Sequence, residues 1–254
     1  MEKTDSKREK KAQKLLIQNP EPQKQVCIVS GFKGGIGKSQ YAAVLVDFLL
    51  LKQLISVLIE FDTVNPDVHR KYHKKVATKL GVFSDDPNKE NAANVLLNAG
   101  LEGNVVANFP AQIFTQFKNW MVKNGIAELC QEFGIEFVNF HVSDGNKDSL
   151  GIFCRSIETF PQMTHVFVKN WGMRTNEWHD FESHGGVQQY ITERNIPVID
   201  FPKFHGVSTL QKIDKLDLSF SEALTHEELD IIERSRVKQF LSKAHFNLEQ
   251  SGLF

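Results

Sequence analysis

Cysteine is scarce in this sequence, and what there is lies scattered: Cys27, Cys130 and Cys154 are the only three in 254 residues. They fit neither a disulfide framework nor a C-x-x-C metal pair, so a reduced, intracellular chain with three buried thiols is expected. Long hydrophobic runs are missing too, since none approaches the roughly 18 residues needed to cross a bilayer. The first residues are charged and carry no apolar h-region, which argues against a secretory signal and for a cytoplasmic location. No charge sign predominates. Lys and Arg number 30 against 31 Asp and Glu, which argues against an overall polyanion-binding surface. Metal-ligand spacing is absent as well: His165, His179, His184 and His205 match no known pattern, and Asp180 and Glu182 beside them read as a solvated loop.

What remains is an ordinary globular composition, 41% hydrophobic and 24% charged, in a length that suits one large α/β domain. Residues 1–24 read as a charged, mobile tail closed by Pro20 and Pro22. Lys3, Lys7, Arg8, Lys10, Lys11 and Lys14 alternate there with Glu2, Asp5 and Glu9. That mixture favours a solvated tail over a basic arm for DNA. Residues 25–254 then read as a single nucleotide-binding domain.

Val26 to Ser30 is a short apolar run of the kind found in strands buried on both faces. Lys38 to Lys52 carries a helical stripe of Ala42, Ala43, Leu45, Val46, Leu49 and Leu50. Ile55 to Phe61 is a second strand, so the three make a βαβ unit with parallel strands. Further strands are expected at 104–109, 135–142, 165–170 and 196–201, with helices over 111–133, 148–160 and 186–194. Asp148 or Ser149 would cap the second of these helices. Thr225 with Glu228 reads as a capping box that opens the terminal helix. The alternation predicts a doubly wound, mainly parallel α/β sheet flanked by helices.

Between the first strand and first helix lies Lys33-Gly34-Gly35-Ile36-Gly37-Lys38-Ser39. A helix start leaves amide N–H groups unpaired and carries partial positive charge, so it draws phosphate. The glycines let the backbone close round an anion without a Cβ in the way. Lys38 would reach the β- and γ-phosphates, and the Ser39 hydroxyl would hold magnesium. The expected ligand is Mg·ATP, bound by Gly34, Gly35, Ile36, Gly37, Lys38, Ser39 and Gln40.

The form K-G-G-x-G-K-S, with a lysine at position 33, resembles the deviant Walker A motif of the ParA/MinD family of P-loop ATPases. The resemblance runs from about residue 25 to residue 201. It implies that Lys33 crosses to a partner subunit's nucleotide, coupling ATP to homodimerisation. It implies that Asp62, at the end of the second strand, orients water or holds the hydration shell of the metal, with Asp67 a weaker candidate. In the family an acid ends the next strand; here Asn108 stands in that place, before Pro110-Ala111-Gln112. An amide accepts a hydrogen bond from metal-bound water but brings no charge, so slow hydrolysis, or none, is expected. Base recognition would fall to Asn170, with Phe201 and Pro202 against the ring face.

Asn108-Phe109-Pro110-Ala111-Gln112, Ser143-Asp144-Gly145 and Arg234-Ser235-Arg236-Val237 resemble the plasmid mobilisation and conjugation branch of MobD, TraL and StbC kind. That implies work on mobile DNA, directly or through a DNA-processing or DNA-binding partner. Three other readings compete: a nucleotide-sensing module without hydrolysis, a small-molecule kinase or amidoligase, and a MinD-like membrane-cycling ATPase. The kinase would need an acceptor pocket, for which the sequence gives no sign. The membrane reading would need the stripe Val237, Phe240, Leu241, Ala244 and Leu248 free to insert, whereas a terminal helix of this kind ordinarily packs on the core.

Overall fold

The computed structural model describes residues 24–84, 86–173 and 178–254. The expected charged tail therefore lies, but for Lys24, outside the described residues. In chain order the strands are β1 (Lys24–Ser30), β2 (Val57–Glu60), β3 (Ala77–Leu80), β4 (Val105–Asn108), β5 (Ile135–Ser143), β6 (Thr164–Asn170) and β7 (Val198–Phe201). The helices are α1 (Lys38–Leu51), α2 (Asp67–Tyr72), α3 (Val95–Glu102), α4 (Phe114–Lys123), α5 (Ile126–Phe133) and α6 (Lys147–Thr159). They continue with α7 (His179–Ser183), α8 (Gly185–Arg194), α9 (Val207–Lys215), α10 (Phe220–Ala223) and α11 (Ile231–Gln250).

The strands form one seven-stranded sheet in the order β3-β2-β4-β1-β5-β6-β7. Every pair is parallel. This is the doubly wound sheet that the alternation of strand and helix demands. The first βαβ unit does not close on itself, because β4 lies between β1 and β2. Helix α1 is apolar nearly all round, and Tyr41 to Leu49 are buried without a break. Such a helix has to be covered on both sides, by the sheet and by outer helices. Helices α10 and α11 supply the second layer.

Several local expectations are corrected. The helix expected over 111–133 is two helices, because Gly125 adopts a left-handed φ of 56° between α4 and α5. Neither Asp148 nor Ser149 caps α6: Asn146 holds the N-cap position, and Ser149 is buried, donating to Ser143 Oγ at 2.9 Å. Thr225 and Glu228 open nothing. The terminal helix starts at Ile231 with a capping box of Asp230 and Glu233, and a second box of Ser219 and Glu222 opens α10. Both pairs keep the acid-to-Glu or Ser-to-Glu spacing of three, so the same signal was available at other positions. Cys27 is buried, but Cys130 and Cys154 are only half-buried. Val237, Phe240, Leu241, Ala244 and Leu248 of α11 all lie in the core, so that stripe is not free to enter a membrane. No helix among the described residues is long and apolar enough to cross one.

Candidate functional site at the phosphate loop

Strand β1 ends at Ser30 and α1 begins at Lys38, with the glycine-rich loop between them. Gly35 and Gly37 have φ of 76° and 91°, a backbone that side-chain-bearing residues seldom adopt. At Gly37 space forbids one as well, since a Cβ would lie 2.3 Å from Asn170 Nδ2. Ile36 is buried and anchors the loop to the core. The Lys38 ammonium is turned back onto the loop and donates to the Lys33 carbonyl at 3.0 Å. Burial pulls its pKa below the ordinary lysine value, while the charge of Asp62 opposes that.

Lys33 stands at the rim, its side chain 48% exposed, in a 2.8 Å ion pair with Asp144 at the end of β5. Burial by itself would raise the Asp144 carboxyl. Hydrogen bonds from Lys33 and Asn146 outweigh it and hold the group below the usual carboxylate range.

Behind the loop three side chains from different elements meet. Asn108 Nδ2 at the end of β4 donates to Ser39 Oγ at 3.2 Å and to Glu60 Oε1 at 2.8 Å. Glu60, fully buried at the end of β2, was not among the residues expected from the sequence. Its one signal is an acid inside an otherwise apolar run. Burial pushes its carboxyl up to about 7, against the Asp62 amide and the Asn108 side chain, which pull it down. Glu60 Oε2 and Asn108 Oδ1 are both buried without a hydrogen-bond partner. Orphaned buried acceptors are costly, so a pair of them beside a serine hydroxyl marks a place prepared for a donor or a cation. Magnesium takes oxygen ligands and keeps several of its waters, and these residues fit it.

Asp62 takes its place beside this group: its amide donates to Glu60 Oε1 at 3.1 Å, and its carboxylate accepts from the Asn65 amide at 3.2 Å. Asp67 is drawn away to Arg70, at 2.5 Å. Gln40 Nε2 is buried without a partner.

The base-reading residues are placed differently from expectation. Asn170 is buried, its Nδ2 donating to the Ile36 carbonyl at 2.7 Å and its Oδ1 accepting from the Gly172 amide at 2.9 Å. Its amide is committed to holding the phosphate loop. Phe201 is buried edge-on between Tyr41, at 5.1 Å, and Phe240, at 5.6 Å, which leaves no ring face for a base. Pro202 lines a wide open cleft with Trp171 and Lys203. Trp171, 36% exposed and donating to Asp200 Oδ1 at 2.6 Å, presents the aromatic surface that Phe201 does not. Among the described residues no group of three or more His, Cys, Asp or Glu side chains is placed to hold a metal.

The parallel sheet, with a glycine-rich loop between β1 and α1, has the architecture of the P-loop fold. In sequence the chain is similar to protein TraL of Escherichia coli, 26% identical over 219 residues that span 81% of this chain and 89% of that one. It is similarly related to protein MobD of Acidithiobacillus ferrooxidans, 26% identical over 230 residues, covering 89% and 97%. The fold is shared with a proposed plasmid partition protein of Borrelia burgdorferi B31 solved with AMPPNP, at TM-score 0.51 and 15% identity over 91% and 99% of the two chains. No family model matches the chain.

Proposed function

We propose that the chain is a nucleotide-dependent dimerisation switch that takes Mg·ATP on the Lys33–Ser39 loop and hydrolyses it slowly. The observation that carries this reading is the contrast between two lysines on one loop. Lys38 is buried and folded onto the loop, whereas Lys33 stands at the rim in an ion pair with Asp144. Backbone amides of the loop and Lys38 would receive the phosphates. The incoming negative charge competes with Asp144 for Lys33, which is then available to the nucleotide of a second copy. Ser39 would hold magnesium, with Glu60 and Asn108 accepting hydrogen bonds from its waters. Bound magnesium supplies neutralisation of the phosphate charge.

Hydrolysis would be slow because this shell is poor in charge. Asn108 is neutral and burial pushes the Glu60 carboxyl up to about 7, which leaves Asp62 to orient water. The same feature favours a second reading, a nucleotide sensor with no turnover. Similarity to TraL, MobD and the Borrelia protein supports work on plasmid DNA through a DNA-binding or DNA-processing partner. A direct DNA contact would fall to residues 1–24.

Light scattering with a non-hydrolysable ATP analogue and magnesium tests the switch. The expected result is a shift from monomer to dimer that Lys38→Ala abolishes with nucleotide binding, and that Lys33→Ala abolishes while binding persists. A Lys33→Ala protein that dimerises normally removes Lys33 from the role. Phosphate release no greater than that of Lys38→Ala leaves the sensor.

A further inference from the structure

On the side of the sheet away from α1, a cavity of about 250 Å³ opens beneath the start of the phosphate loop and the segment that follows β4. One wall is aromatic: Phe109, Phe114, Phe117 and Phe160. The other is polar, which is anomalous for a parallel sheet covered on both faces, whose strands ordinarily run continuously apolar. Successive inward residues of β5 on this face are Asn139 and His141, in register with Ile28 and Ser30 of β1 and with His165 and Phe167 of β6. Asn139, His141 and Ser156 are each at least 95% buried.

The wall retains hydrogen-bonding capacity. Ser30 Oγ donates to Asn139 Oδ1 at 2.7 Å and so keeps its own lone pairs. Ser156 Oγ accepts from Asn139 Nδ2 at 3.2 Å and so keeps its proton to donate. Burial pushes the His141 imidazole down to about 4, so the wall is uncharged at neutral pH. Among the described lining residues one cation stands at the rim: the Arg155 guanidinium lies 4.9 Å from the Phe114 ring centroid.

We propose that this cavity is a binding site for a planar fused heteroaromatic acid, its ring between the phenylalanines and its anionic group on Arg155. The size follows from volume, since roughly 150 Å³ already holds a benzene ring and the space here suits two fused rings. The ring needs one acceptor for Ser156 and one donor for Ser30, and it has to be neutral where it meets this wall. Gly31, Phe32 and Gln112 also line the cavity, so its occupant touches both the phosphate loop and the segment after β4. The consequence, which rests on the nucleotide reading above, is that occupancy changes nucleotide affinity.

Calorimetry on the nucleotide-free chain tests the site without depending on that reading. The probes are 4-oxo-1H-quinoline-2-carboxylate and quinolin-4-one, which lacks the carboxylate. The acid is expected to saturate in the micromolar to low millimolar range. Arg155→Ala, a change at an exposed position, is expected to weaken the acid about tenfold and leave quinolin-4-one unchanged. Ser156→Val, checked for an unaltered melting transition, is expected to weaken both. No saturation by either probe overturns the proposal, as does acid binding that survives both substitutions. A probe that binds in a chain that takes no nucleotide keeps the site and removes only its coupling.

Discussion

On the face of the sheet covered by α1, α10 and α11, the buried apolar side chains form one unbroken cluster from Cys27 and Val29 to Leu248. On the opposite face they form two clusters, one around β1, β2 and β4 and the other around α6 and β6. Between those two lies the polar row of Asn139, His141 and His165. Both faces belong to the same strands, so the difference is written in alternate residues of β5: Val138, Phe140 and Val142 to one side, Asn139, His141 and Ser143 to the other. The unbroken face fixes α1 and with it the phosphate loop. The interrupted face lies under the segment after β4.

The largest expected effect breaks the unbroken face. Leu45 is fully buried, and Leu45→Ala is expected to cost about 3–5 kcal/mol in urea unfolding, because a close-packed cluster relaxes little round a new void. Ser156→Ala on the other face removes one acceptor beside an existing cavity and is expected to cost about 1 kcal/mol. Equal costs would remove the contrast between the faces.

Acid sharpens the contrast next. The folded pKa of His141 is depressed from 6.5 to about 4, because a buried imidazole resists charging. The unfolded chain therefore binds the extra proton more readily. The stability this confers is present above pH 6.5 and lost as pH falls towards 4, on the order of 3 kcal/mol in full. His141→Gln is expected to flatten the slope of unfolding free energy between those limits, and an unchanged slope would place the acid sensitivity elsewhere.

The polar row also marks where sequence reading stopped. The loop was legible because its glycines, its lysines and its flanking strand and helix all sit within one short stretch. The parallel sheet was legible because most of its strands carry a compact apolar run, residues 26–29 and 57–59 among them. Strand β3 was not, since its burial pattern is mostly half-exposed and it sits at the sheet edge. Short α2 was not either, because Val68 and Tyr72 are its only buried residues and too few to announce a helix. Glu60 was missed because its hydrogen-bond partner Asn108 lies 48 positions away, and only strand pairing brings them together. The same holds for Asn170, whose amide meets Ile36 across 134 positions. A strand-end asparagine reads as a turn former or a base reader until its partner is known.

The smallest expected effect concerns a single dihedral angle on the interrupted face. Among the described residues four besides glycine have positive φ: Gln53, Gln112, Asn195 and Asp217. Gln53, Asn195 and Asp217 follow the ends of α1, α8 and α9, where a left-handed residue is the ordinary way to stop a helix. Gln112, at φ 59°, ends no helix; it lies between β4 and α4 and lines the cavity. Its side chain is exposed, so Gln112→Gly sacrifices no burial and relieves a conformation that costs a non-glycine residue about 1 kcal/mol. The freer unfolded chain takes back part of that, leaving a gain of roughly 0.5 kcal/mol, or about 1–2 °C in the melting temperature of a chain this size. If the strain serves to make this segment bistable, the stabilised variant should also need more nucleotide to dimerise. A gain in stability with an unaltered nucleotide response would make the angle a local accident of chain direction.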